Sequence, residues 1–573
     1  MGKVVNSEIT LTRLFNLLHT YKENIVSIYI YAVLNGLIVL SLPLGVQAII
    51  GLITSQQLST SWLVLIVIIS VGMLISGIFQ IYQTKILEYI QQSIFVRAAF
   101  DFAYRIPKFK FEKLTKYHPP ELINRFFDAI LIQKGVNKII LDFATSSLQI
   151  LFGLLLISFY HYLFVFFGFI LILSLIVIFK LTFKPGLATS LEESNHKYEV
   201  AHWLEELART MGTFKLYPQE NLSIPNTNAN LEKYISARQS HFKVILIQLW
   251  SNVVFKLLMT ILLLVLGSTL VVNGEINIGQ FVAAEIILIS IINSVEKFIL
   301  SMSEIFDTLT ALEKVGYVTD IELEKNNSDN IQNINKEGLK VEILNLSYRY
   351  SETEDAIIKD INVTINPGEK LAIFGRSGSG KTTLIRLISG FYDDMEGNII
   401  FNNISVRNFH KDVLRMYIGD NFGEQNVFHG TIMENLTLGN PNIELDNLFE
   451  ILENLKMKDK IDSLKDGLNT VIQAEGKNFS RTFLRKIVIA RSLLKRPQLL
   501  LLDDFGVYFD KIQRKQIIDY LFSLKNVTLI YCTDDDYLLN HSDKILYLDK
   551  GVCAGVYSYN DIINTQMAEL INK

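Results

Sequence analysis

Leu371–Thr383 reads LAIFGRSGSGKTT, and this stretch decides how the chain is understood. Leu371–Phe374 is a short apolar run of the kind that forms a buried strand. Gly375, four further residues, Gly380, Lys381 and Thr382 then follow the spacing GxxxxGK[ST], and TLIRLISGF (Thr383–Phe391) continues as a helix. Strand, glycine-rich turn and helix form the setting in which such a loop holds a polyphosphate. The glycines let Gly375, Arg376, Ser377, Gly378, Ser379 and Gly380 curl so that backbone amides and the helix N-terminus face an anion. Lys381 neutralises terminal phosphates, and the hydroxyl of Thr382, followed by Thr383, is placed to ligate Mg2+.

Outward from the loop, apolar runs alternate with helical stretches. LLLLDD (Leu499–Asp504) and VTLIY (Val527–Tyr531) read as further strands, so an α/β domain with a largely parallel sheet is expected from about residue 340 onward. The LLLLDD strand delivers Asp503 to its C-terminal edge, where the carboxylate can hold a metal through water. Before this domain, Ile321–Gly338 is polar and rich in Asn, the composition of a linker.

Upstream of the linker the chain changes character. Apolar runs of the length that crosses a bilayer, about 20 residues, fall at 25–53, 62–84, 139–159, 161–179, 245–272 and 279–302. The expected fold class is therefore an all-α transmembrane domain of six helices, residues 25–320, followed by a linker, 321–339, and an α/β P-loop domain, 340–573. Residues 1–24 are expected to form an interfacial helix on the cytoplasmic side. Pro43, Gly36 and Gly45 in the first span read as a packing kink, because a helix bundle can satisfy the backbone groups that a proline frees. Ten Lys and Arg lie between spans two and three, from Lys85 to Lys138, and eight between spans four and five, from Lys180 to Lys243; the other connections carry none. By the positive-inside rule those two stretches, both termini and the P-loop domain belong in the cytoplasm.

Both basic stretches keep helical apolar spacing, at Ile86–Ile106 and Ser190–Thr210, so the spans should continue beyond the membrane. Contact helices toward the P-loop domain are expected at Tyr117–Asp128 and Val200–Glu220. Span six carries Glu285, Asn293, Glu296 and Lys297, and span five Lys256. Such residues either line a substrate cavity or form an intramembrane Lys–Glu pair, and sequence alone leaves both open.

Composition removes other classes. The net charge of −4 shows no basic excess for tracking nucleic acid, so no nucleic-acid partner is expected. Two cysteines, Cys532 and Cys553, give neither a disulfide framework nor metal-ligand spacing. The first apolar run continues as a full span, so no cleavable signal peptide is expected, and about 24 preceding residues are too few for a peptidase domain.

The order of P-loop, QNVFHGTIMENLTLGN (Gln425–Asn440), NFSRTFLRKIVIARSLL (Asn478–Leu494), LLLLDD, VYFD and LYLDKG resembles the ATP-binding-cassette (ABC) exporter family over nearly the whole chain. The resemblance implies a type-I exporter half that uses ATP and Mg2+ and pairs with a second half, as a homodimer or a heterodimer. Two nucleotides would be sandwiched between the P-loop of one half and the signature motif of the other, and their closure would drive the membrane helices between inward-open and outward-open. It implies export of a peptide, protein or other amphipathic molecule, in the manner of peptide, toxin and type I secretion exporters, with a membrane-fusion adaptor as a possible further partner. It also implies that Tyr350, in LSYRY, stacks on adenine; a strand-face aromatic is the competing reading.

Four positions depart from the family pattern. Counting back from KIVIAR, the signature LSGGQ becomes Phe479, Ser480, Arg481, Thr482 and Phe483, so the glycines that allow close backbone approach to the γ-phosphate are gone. The glutamate that positions the attacking water is Asp504, one methylene shorter. The switch histidine falls on Asp534, a carboxylate facing phosphate charge. The metal-sensing glutamine position falls on Gly423, with Gln425 two residues late. Hydrolysis by this chain is therefore expected to be impaired, and a nucleotide-binding but hydrolytically silent membrane regulator or assembly subunit is the alternative.

Overall fold

The computed structural model describes residues 7–55, 60–114, 119–217, 222–324, 338–351, 355–422, 427–503 and 509–563. It divides into two compact units: residues up to Pro107 together with Lys116–Ile321, and Lys108–Thr115 together with Glu322 onward.

The first unit is helical. Among the described residues six helical stretches are long and apolar enough to cross a membrane: Lys22–Thr54, Thr60–Lys108, Glu121–Ser158, Tyr162–Arg209, Ser223–Val272 and Ile278–Thr319. Each matches one of the apolar runs read from sequence to within a residue at the ends that meet near 160, and most of the helices run on well beyond them. Thr60–Arg105 is one helix of 46 residues, roughly 70 Å at the usual rise per residue. The first span is two helices, Lys22–Val39 and Ser41–Thr54, meeting at Leu40. The break has a local cause: Pro43 has no N–H for the carbonyl of Val39, four residues before it. The nearby glycines are packing contacts. A Cβ on Gly36 would lie 2.9 Å from the Phe152 ring, and one on Gly45 would run into Ile69.

The polar residues of spans five and six separate. Lys256 Nζ lies 2.5 Å from Glu296 Oε2, and Asn252 Nδ2 donates to the other Glu296 oxygen at 3.4 Å, whereas Asn293 and Lys297 are exposed. The intramembrane pair left open by the sequence is thus formed, between Lys256 and Glu296.

The second unit is built on a ten-stranded sheet. Lys370–Phe374 sits between Thr528–Cys532 and Lys544–Asp549, parallel to both. Leu499–Leu502 and Ile418–Asn421 extend the parallel set. Val341–Tyr348 pairs antiparallel with Ile358–Ile365 and Glu396–Phe401, so the continuous parallel run occupies one side of the sheet, from Lys544–Asp549 to the edge strand Ile418–Asn421, a division that the strand–helix alternation did not show. One face is covered by the helix Lys381–Ile388, through Leu384, Ile385, Leu387 and Ile388. The other is covered by Arg481–Leu494, through Phe483, Ile487, Ile489, Ala490 and Leu493.

Of the expected contact stretch Tyr117–Asp128, residues 117 and 118 lie outside the described part. The segment that belongs to the sheet unit is Lys108–Thr115, containing the short helix Phe111–Leu114. Phe111 packs its ring against Phe391 and Tyr392, with centroids 5.5 and 5.7 Å apart, and Glu112 accepts from the backbone N–H of Asp393. Pro119–Asn124 instead packs within the helical unit, where Asn124 donates to Glu205. The second expected contact stretch contains the helix Met211–Leu216, and residues 218–221 lie outside the described part.

Candidate nucleotide site

The loop Gly375–Gly380 leaves the buried C-terminal end of the strand Lys370–Phe374 and enters a helix whose first residue is Lys381. Gly378 and Gly380 hold φ of 79° and 102°, a region in which a Cβ is strained. Gly375 has no room for one, because a Cβ there would run into the Leu548 carbonyl and stand 2.8 Å from Ser379 Oγ. Arg376, Ser377 and Gly378 form an exposed rim, while Ser379 is buried. The loop is pinned from below, since Gly551 N–H donates to the Ser379 carbonyl at 3.0 Å and Ser379 N–H to that of Arg376 at 3.1 Å. Lys381 Nζ folds back over the rim to the carbonyls of Gly375 and Arg376, the latter at 3.0 Å.

These features fit a polyphosphate. Ser379 Oγ is buried without a hydrogen-bond partner, which is costly unless a ligand supplies one, and the cradle has the backbone clearance that phosphate oxygens need. A divalent cation fits the oxygen donors present. Thr382 follows Lys381 at the helix start, and Asp503, only 6 % exposed, follows the strand Leu499–Leu502 at the same edge of the sheet, its N–H bonded to the Asn421 carbonyl at 3.0 Å. No group of three or more His, Cys, Asp or Glu capable of holding a metal occurs among the described residues. Mg2+ at this place would lean on one hydroxyl, one carboxylate, phosphate and water, as that ion commonly does.

Tyr350 is half-buried at the end of the strand Val341–Tyr348. Its hydroxyl lies 3.0 Å from Thr383 Oγ1, and its ring stands edge-on to Tyr348 and Tyr392, at 85° and 80°. The structure brings it to the phosphate-loop helix.

Ser480 caps the helix Arg481–Leu494, its hydroxyl accepting from Phe483 N–H at 3.2 Å. Phe479 and Phe483 stack with centroids 4.9 Å apart. Phe483 is buried, and Arg481 stands exposed on the first turn. Asp534 is exposed after the strand Thr528–Cys532, beside Asp535, which caps the helix Asp536–Asn540 and pairs with Arg514 at 3.0 Å. Gly423, Gln425, Asp504 and Tyr508 lie outside the described residues. Sequence reasoning did not find Glu112, which reaches the loop after the phosphate-loop helix from 281 residues upstream. No local signal announces a contact of that separation.

A phosphate-loop α/β domain and a helical unit with six candidate spans thus stand in one chain. Two family models match: the ABC transporter transmembrane region over residues 25–295 and the ABC transporter domain over 358–505. The chain belongs to the ABC transporter family, with its membrane region and its ATP-binding domain in one polypeptide. Relatives include the transport/processing ATP-binding protein ComA of Streptococcus pneumoniae, 25% identical over 490 residues covering 84% of this chain and 68% of that protein. The lactococcin-G-processing and transport ATP-binding protein LagD of Lactococcus lactis is 26% identical, covering 65% and 53%. The alpha-hemolysin translocation ATP-binding protein HlyB of Escherichia coli O157:H7 is 26% identical, covering 68% and 55%. The matches thus span between about half and two thirds of those proteins' lengths. A solved bacterial Atm1-family ABC exporter with ATP bound superposes with a TM-score of 0.85, covering 96% of this chain and 98% of that one, at 18% identity, which speaks to the fold alone.

Proposed function

We propose that this chain is one half of an exporter that moves a peptide, protein or other amphipathic molecule out across the cytoplasmic membrane, with the nucleotide domain and both termini in the cytoplasm. Mg-ATP sits in the Gly375–Thr383 cradle, with Mg2+ near Thr382 and Asp503, and drives alternating access after pairing with a second half. The single observation that carries this reading is the cradle itself: a loop closed to any side chain at Gly375, with a buried unsatisfied Ser379 hydroxyl and the Lys381 ammonium over its rim. The printed names of the relatives, which speak of processing, transport and translocation, favour a polypeptide cargo.

Turnover by this chain is slow in the same proposal. Arg481 and Thr482 put side chains where backbone should approach the γ-phosphate, Asp504 is short, and Asp534 adds negative charge. A homodimer would carry these faults in both sites; with an intact partner, each site would keep one intact contributor. The reading is tested with the full chain in lipid, alone and with any copurifying ABC half, by following ATP binding and phosphate release. ATP affinity with no phosphate release in either preparation would favour the silent regulator or assembly subunit instead.

A further inference from the structure

Two segments distant in sequence pair inside the sheet unit. Lys108–Lys110 follows directly on the helix Thr60–Arg105 and its terminal turn, and Glu322–Glu324 follows directly on the helix Ile278–Thr319. Phe109 and Leu323 form an antiparallel bridge. Lys110 N–H donates to the Glu322 carbonyl at 3.0 Å, and Glu324 N–H to that of Lys108 at 2.8 Å. The Lys110 ammonium adds an ion pair to Glu322 at 2.8 Å. The continuations of the second and sixth spans are therefore bound to each other.

This ribbon is fastened to the nucleotide domain at two points. Arg415, on the helix Lys411–Tyr417, meets Glu324 in a two-pronged ion pair, Nη1 to Oε2 at 2.8 Å and Nη2 to Oε1 at 2.6 Å. The Glu324 side chain is only 10% exposed and that of Arg415 29%, and a fork of this kind fixes orientation as well as distance. At the second point Glu112 accepts from the amides of Asp393 and Asp394, the latter at 3.3 Å. Those amides lie in the turn that leaves the phosphate-loop helix Lys381–Ile388, and Phe391 of that turn lies 5.5 Å from the Arg415 guanidinium.

We propose that Arg415 and Glu324 are positioning residues for ATP-driven transport, holding the paired continuations of spans two and six against the turn after the phosphate-loop helix so that nucleotide binding moves both spans as one lever. The proposal rests on the reading of the chain as an ATP-driven half-transporter. Neither residue belongs to the nucleotide site. Their effect is therefore on transmission, with nucleotide affinity left alone.

The test uses the full chain in lipid nanodiscs, with a fluorescent ATP analogue for affinity and hydrogen–deuterium exchange with and without Mg-ATP for the response of residues 60–105 and 278–319. Arg415→Met and Glu324→Gln should keep analogue affinity within twofold while losing most of the ATP-induced change in exchange in both helices. The charge-swapped double variant, Arg415→Glu with Glu324→Arg, should restore at least half of it, a recovery that general loss of stability would not produce. Single variants that respond to ATP like the unaltered chain overturn the proposal, as does a response lost in only one of the two helices. Failure of the unaltered chain to bind the analogue at all overturns the underlying reading instead.

Discussion

The Tyr350 hydroxyl lies 3.0 Å from Thr383 Oγ1, joining the end of the strand Val341–Tyr348 to the first turn of the phosphate-loop helix. The aromatic ring and the phosphate cradle are thereby held in register across 33 residues of chain. Tyr350→Phe removes the hydroxyl and keeps the ring, so ATP affinity should fall no more than about fivefold, the worth of one neutral hydrogen bond. Tyr350→Ala also removes the stacking surface and should cost about tenfold or more. Titration with a fluorescent ATP analogue separates the two, and equal affinities for both variants would mean that the ring does not touch the base.

Lys381→Ala removes the ammonium that lies over the loop rim. Charge-assisted contacts to phosphate contribute more than neutral ones, so ATP should bind about ten- to a hundredfold more weakly. Equilibrium binding at fixed Mg2+ is the measurement. Undiminished affinity would remove the nucleotide site from this loop.

Restoring small residues at the signature helix tests the impaired-turnover reading. Arg481→Gly with Thr482→Gly should raise phosphate release several-fold, and adding Asp504→Glu should raise it further, because backbone approach and reach to the attacking water are separate defects. Steady-state phosphate release in lipid decides. Unchanged or lower turnover in the triple variant would show that Arg481 contributes to the site as it stands.

Glu112 is pushed above the usual carboxylate range, chiefly by burial, although the amides of Asp393 and Asp394 pull the other way. Because the folded-state value exceeds the unfolded one, the stabilisation tied to its protonation is complete below the ordinary glutamate range and is lost as pH rises through the raised folded value. Glu112→Gln keeps an acceptor for the two amides and removes the titration. Thermal unfolding of the variant should therefore show a shallower decline than that of the unaltered chain as pH rises from about 4.5 toward neutrality.

The Lys256–Glu296 pair joins spans five and six at 2.5 Å. Lys256→Met leaves Glu296 without its cation and should destabilise the helical unit by about 3 kcal/mol. Lys256→Met with Glu296→Gln should recover most of that. Unfolding in a mild detergent reads both, and equal losses in the single and double variants would show that the pair carries no coupling.

Much of the fold was legible because its signals are local. Bilayer-length apolar runs mark the six long helices, and their helical spacing carries past the membrane limits into Thr60–Arg105 and Val165–Arg209. The loop from Gly375 to Gly380 was legible for the same reason, since strand, turn and helix adjoin in the chain. The packing of Phe111 and Glu112 within the sheet unit was not. A four-residue helix has too few positions to show a period, and its partners lie near Asp393.

From the residues alone came the division into a membrane half and an α/β half and the phosphate loop, properties of composition, period or spacing within a few turns of chain. Only the tertiary structure decided that Lys256 takes Glu296, that Tyr350 reaches Thr383, and that Glu324 meets Arg415 across 91 residues. A charge or hydroxyl takes whichever partner packing places within hydrogen-bond reach. That choice depends on how the whole chain folds back on itself, which no short window of sequence records.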